Sequence, residues 1–233
     1  MENLPFYIDI VFILTTWLAV FLFYKATGNA KTSIIIISLW LAIQAIISLQ
    51  QFYTETKTIP PRFLLLILPP LLLIATLFIT KNGRRFIDNL NPKALTILHI
   101  VRIPVELVLL WLSSYKVVPE LMTFEGRNFD IIAGLTAPFI FYFGFVKKTL
   151  SRKIVLLWNF ICLALLINIV TIAVFSAPFS FQKFAFNQPN IAVLYFPFVW
   201  LPCCVVPLVL FSHLATIRQL LKYNSRNISA PGT

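Results

Sequence analysis

The chain has 233 residues, 59% of them hydrophobic and only 12% charged, with a formal net charge of +11 and a mean hydropathy of +0.89. A soluble domain carries roughly 25% charged residues, so this chain lacks the polar skin that water demands, and a lipid solvent is implied. Its basic residues are spread through the gaps between apolar runs rather than gathered in one patch, which excludes nucleic acid as a partner and leaves the lipid bilayer.

The first apolar run, Phe6–Tyr24, follows Met1-Glu2-Asn3-Leu4-Pro5. That start has no basic n-region, and no small-residue cleavage site precedes Lys25, so the run reads as a retained membrane span and not as a signal peptide. The second, Ser33–Gln50, carries Gln44 and Ser48 four apart on one face, as side chains that bond between helices are placed. The third, Pro60–Thr80, opens on Pro60-Pro61, where a missing N–H matters little. It then meets Pro69-Pro70, which are expected to kink or break it.

The fourth, fifth and sixth runs are Ala94–Tyr115, Asn128–Val146 and Ile154–Ser176. Asn159 and Asn168 on the sixth read as packing contacts between helices. The last, Asn190–Leu221, holds Pro197, Pro202 and Pro207 and is longer than a straight crossing needs, so it is expected to be tilted, broken or extended beyond the membrane. Cys162, Cys203 and Cys204 lie inside apolar runs and read as small packing residues, with no disulfide framework.

A crossing takes about 20 apolar residues, open strands cannot span lipid, and these runs lack the alternation of a membrane barrel. The fold expected is an all-α, polytopic membrane helix bundle of seven transmembrane helices. It forms one domain over 1–223, with a disordered cytoplasmic tail over 224–233.

Lysine and arginine set the orientation. The gaps after the first, third and fifth runs, with the C-terminus, hold Lys25, Lys31, Lys81, Arg84, Arg85, Lys93, Lys147, Lys148, Arg152, Lys153, Arg218, Lys222 and Arg226. The other gaps hold only Lys57, Arg62, Lys116, Arg127 and Lys183. The N-terminus is therefore expected outside and the C-terminus inside, with the basic collar on anionic headgroups. Short loops and no soluble domain point to a bacterial cytoplasmic membrane.

Ionisable residues within spans are expensive and mark function by default. His99, Arg102 and Glu106 fall at spacings that put all three on one face of the fourth helix. There Arg102 and Glu106 are placed to pair directly. His213 in the last run joins them to make an intramembrane polar site. The bland reading is an ion pair locking two helices; the functional one is a cavity for an ion, a proton or a small solute. Two imidazoles and a carboxylate also suit a proton relay or a divalent metal, although no metal site is assigned.

A second cluster, Glu120, Glu125, Arg127, Asn128 and Asp130, occupies the gap before the fifth run and is read as an outer-side pocket, with Asn128 or Asp130 capping the helix that follows.

No nucleotide-binding loop, serine elbow, zinc motif or cysteine pair occurs. No lysine stands mid-way along the seventh run for a retinal Schiff base, and no cofactor is implied. Three readings remain: a protein binding or moving a small molecule or ion, a membrane enzyme using Glu120, Glu125 and Asp130 on a lipid-linked substrate, and a structural subunit of a larger complex.

Overall fold

The computed structural model describes residues 4–228. Among them there are helices and turns but no strand. Helices α1 (Phe6–Ala26) and α2 (Lys31–Leu49) are followed by α3 (Leu64–Ile79) and the short α4 (Lys81–Asn89). Next, α5 (Pro92–Leu98) passes through a 3-10 turn at His99–Val101 into α6 (Arg102–Ser114). Helix α7 (Ile131–Phe139) continues as a π-helical segment, Ile140–Val146. Then come α8 (Arg152–Ser176), a π-helical turn at Leu201–Val205, and α9 (Val206–Ile228).

Five helical stretches are long and apolar enough to cross a membrane: Phe6–Ala26, Lys31–Leu49, Pro92–Ser114, Arg152–Phe175 and Leu201–Lys222. A sixth is made by α3 and α4 if that pair, bent by 94°, counts as one. Ile131–Val146 is apolar but shorter. Large apolar side chains such as Leu14, Leu39, Ile46, Leu72 and Leu157 face outward. A helical bundle that turns leucine and isoleucine to its solvent fits lipid and not water.

Local chemistry explains the boundaries. Thr80 separates α3 from α4: its hydroxyl accepts from Gly83 N at 3.1 Å, an N-cap that starts the new helix. A Cβ at Gly83 would lie 2.3 Å from the Leu77 carbonyl oxygen, so only glycine lets α4 fold back on the last turn of α3. Asn91 caps α5 from the position before Pro92, and Ser151 caps α8.

Three expectations about the runs change. Pro69 and Pro70 do not break α3, which runs through both; the break falls at Thr80. The fifth run opens its helix at Ile131, because Asn128 and Asp130 are drawn inward to buried partners. Residues 190–200 of the last run form turns and a 3-10 segment, so its long helix starts only at Leu201. Of the tail expected over 224–233, residues 229–233 lie outside the described residues, and α9 extends to Ile228.

The loops gather at two ends. At one, Asn91 N donates to Ala26 O at 2.9 Å, and Arg218 pairs with Asp88 at 3.0 Å. This joins the end of α1, the α4–α5 junction and the last turns of α9. At the other, Ile191 N donates to Val117 O at 3.1 Å, Gln188 Nε2 donates to Ser113 and Val118 carbonyls, and Ser48 reaches Leu194 O.

Two stretches form the centre: 61% of the apolar window in Pro92–Ser114 and 67% in Leu201–Lys222 is buried, against 17% in α2. Helix α2 is fastened at the rim by two indoles. Trp40 Nε1 donates to Cys203 O at 3.0 Å, the carbonyl that Pro207 cannot serve with the usual N–H. Trp200 Nε1 donates to Leu41 O at 3.0 Å.

Candidate functional site

The two innermost stretches carry the polar residues that a lipid-embedded core should avoid. His99, Arg102 and Glu106 on α5–α6 and His213 on α9 are all at most 2% exposed. The 3-10 turn at His99–Val101 and α6 keep the first three facing the interior, over an axial distance of about 10 Å.

Arg102 does not pair with Glu106. Its Nε lies 3.2 Å from Asp130 Oδ2, with both side chains buried. The pair forms because α7 sits hard against α6: a Cβ at Gly134 would fall 2.9 Å from Ile103 Cγ1 and 3.3 Å from Arg102 Cβ. Asp130, one turn before Gly134, is thereby carried to the guanidinium. Asp130 holds the N-cap position of α7 but makes no cap bond with its side chain. The charge opposite it takes that role's place.

Glu106 accepts instead from Asn128 Nδ2, which also donates to Met122 O at 2.9 Å. Asn128 Oδ1 accepts from Asp130 N at 3.0 Å, closing a turn that leads into α7. Asn128 is thus a bracket: it fixes the Glu106 carboxylate and aims Asp130 at Arg102.

Toward the other end, His99 and His213 stack with ring centres 3.8 Å apart and planes 17° from parallel. His213 Nδ1 lies 3.0 Å from Asn159 Oδ1, and Asn159 Nδ2 donates to Val155 O, one turn back on α8. Trp158 meets His99 edge to face with ring centres 5.6 Å apart and donates its Nε1–H to Thr136 Oγ1 at 2.9 Å. The result is one buried polar line, His213–His99–Arg102–Asp130–Asn128–Glu106, drawn from α9, the turn at His99–Val101, α6 and the loop that enters α7.

Hydrogen bonding along this line is incomplete. Arg102 Nη1 and Nη2 reach Cys162 O only at 3.5 Å. The contact of Arg102 Nε with Asp130 is an ion pair without hydrogen-bond alignment. Arg102 Nε, Asp130 Oδ1, Glu106 Oε2, both nitrogens of His99 and Nε2 of His213 are buried and find no hydrogen-bond partner within the protein. Native interiors satisfy nearly all such atoms, so this concentration marks the line as more than a helix lock. Its donor set is mixed: a guanidinium, two carboxyls, an amide and two imidazoles. No group of three or more His, Cys, Asp or Glu among the described residues is placed to hold a metal ion.

The outer-side cluster divides. Asn128 and Asp130 belong to the buried line, whereas Glu120, Glu125 and Arg127 are exposed. Arg127 donates its backbone N–H to Leu121 O at 3.3 Å and accepts at its carbonyl from Asn168 Nδ2 at 3.0 Å. The three carboxyls Glu120, Glu125 and Asp130 do not form one set, since Asp130 is committed to Arg102. Sequence reasoning missed Trp158 and Thr136 and gave Asn159 a packing role; the signal available was Asn159 itself, a full amide inside an apolar run.

The model of a family described as a domain of unknown function (DUF8737) matches residues 59–221. The match takes in α3 through α8, most of α9 and every residue of the polar line. No curated protein and no solved structure matches the chain. With well over half of its length matched, the chain belongs to the DUF8737 family.

Proposed function

From that membership and the buried line, we propose that this member of the family binds or moves a small ion, in the first place a proton, through a polar face inside the membrane. The observation that carries the reading is the run of unpartnered ionisable atoms from His213 to Glu106. A buried ion pair is weak evidence for stability, and intramembrane ionisable groups face ion or proton paths. Arg102 supplies a fixed positive charge. Asp130 is its counter-ion, and Glu106, tied by one oxygen to Asn128, keeps a second oxygen for a proton. Two imidazolium rings at the observed separation would repel by about 4 kcal/mol at an effective dielectric of 20, so the stack carries at most one charge.

The proposal includes seven crossings with the N-terminus outside and the C-terminus inside, in a bacterial cytoplasmic membrane. What supports it is the gathering of the basic loops at one end. Asp88 is the only acidic residue in those loops, and it is already bound by Arg218 and Lys222. In this reading α3 and Ile131–Val146 are short crossings completed by the turns before them.

Proteoliposomes loaded with a pH-sensitive dye test the function. Under an imposed potential, the wild-type chain acidifies the lumen faster than empty vesicles, and Glu106→Gln slows the rate about tenfold or more with an unchanged melting temperature. Wild-type rates equal to empty vesicles would overturn proton movement. Reporter fusions at Arg84 and Glu120 test the orientation, and both landing in one compartment rejects it.

A further inference from the structure

Helix α2 leans on α1 and the π-helical turn, α3 leans on that turn and α9, and between α2 and α3 lies a cleft of about 520 Å³. That volume is within the range of small-molecule sites, about 300–1,000 Å³. Its depth is apolar: Ile37 and Trp40 from α2, Pro70 and Leu73 from α3, and Pro207 and Phe211 from α9. Trp40 closes the back through its bond to Cys203 O. The composition changes toward one end, where Thr32 and Ser33 at the start of α2 face Phe86 of α4.

That end is strongly basic. Lys31 begins α2, and Arg85 adjoins Phe86 on α4; both are exposed. The nearby acid, Asp88, is held by Arg218 at 3.0 Å and by Lys222 at 2.6 Å, so the positive charge of Lys31 and Arg85 is unmatched by protein. A long apolar slot with hydroxyls and cations at its mouth has the chemistry of an amphiphile with an anionic head.

We propose that the cleft between α2, α3 and α9 is a specific site for an anionic phospholipid, one acyl chain lying along Trp40 and Leu73 and the phosphate at Lys31 and Arg85. This site is separate from the buried polar line, and its occupancy does not depend on that line's role. Lipid in the slot fills the gap that leaves α2 so little buried and fixes α4 at the membrane surface.

The test uses the full chain in vesicles of phosphatidylcholine doped with lipid brominated on its acyl chains, which quenches nearby indoles. The Trp40 signal is read as the difference between wild type and Trp40→Phe. Brominated phosphatidylglycerol is expected to quench it at a mole fraction about tenfold below that required of brominated phosphatidylcholine. The double variant Lys31→Glu, Arg85→Glu, at exposed positions that leave the fold intact, is expected to erase the preference. Leu73→Phe, which narrows the slot, is expected to reduce quenching by both lipids. Equal quenching by the two lipids in wild type, or an anionic preference that survives the double charge reversal, overturns the proposal.

Discussion

The imidazole of His99 lies flat on that of His213, and the Trp158 ring stands across one side of the stack, 5.6 Å from His99 and 5.8 Å from His213. His213 is held in place by Asn159, whereas His99 has no hydrogen-bond partner in the protein. His99, next in line to Arg102, thus has two unpartnered ring nitrogens against one in His213. Protonation of the stack brings a cation to the Trp158 ring and quenches its emission. The difference signal between wild type and Trp158→Phe is expected to fall on acidification. In His99→Phe, the stack should persist while this pH response disappears; an unchanged response would assign the titration to another group.

Breaking the Arg102–Asp130 pair on one side leaves a buried charge without its counter-ion. Asp130→Asn is expected to destabilise the protein by about 3–5 kcal/mol. The double change Arg102→Met, Asp130→Leu is expected to recover most of that loss while abolishing ion movement, because a well-packed apolar pair replaces an ionic one at little net change. Chemical unfolding in detergent of wild type, Asp130→Asn and the double variant measures it. A double variant no more stable than the single would show that the pair itself holds α6 to α7.

At the turn between α3 and α4 the relevant quantity is space. Gly83→Ala forces a methyl against the Leu77 carbonyl, with an expected loss of about 1–3 kcal/mol. Hydrogen exchange should locate that loss in α4 and the last turns of α9. Faster exchange spread evenly over all helices would contradict the assignment.

Asp88 links that same helix to α9 through Arg218 and Lys222. Partial burial pushes its carboxyl upward, but the hydrogen bonds and charges of Lys222 and Arg218 outweigh this and hold it below its ordinary value of 3.8. A carboxyl depressed in the folded state contributes stability above the unfolded value and loses it as pH falls through the folded one. The melting temperature of wild type is therefore expected to exceed that of Asp88→Asn at neutral pH, by the equivalent of about 1 kcal/mol. The two should converge as the pH drops below about 4. Curves that stay parallel well below that pH would remove the linkage.

Much of this architecture can be read from residue order. Apolar runs and charged gaps mark the helical stretches, and His99, Arg102, Glu106 and His213 stand out because charge in an apolar run is rare. The partners are harder to read. Asn128 and Asp130 each look like a helix cap, since nothing local reveals that Gly134 lets α7 approach α6 closely enough to bury both. Arg102 and Glu106 are spaced to pair, yet tertiary neighbours take each of them. Pro69 and Pro70 look like a break that the chain makes instead at Thr80, where a hydroxyl cap and a glycine make a sharp turn inexpensive.

The π-helical turn at Leu201–Val205 sets more than the start of a helix. A π turn holds one residue more than an α turn, and each residue in an α-helix advances the azimuth by about 100°. Its extra residue therefore acts as a phase adjuster for everything downstream. Deleting one residue just past it, Leu210 for instance, where an α turn has none to spare, would leave the hydrophobicity of α9 nearly untouched while swinging His213 roughly a quarter turn away from His99 and Arg218 away from Asp88. The meeting of both ends of the last helix with their partners is thus encoded as a count of residues, so an alteration that looks silent in composition would disconnect the two together.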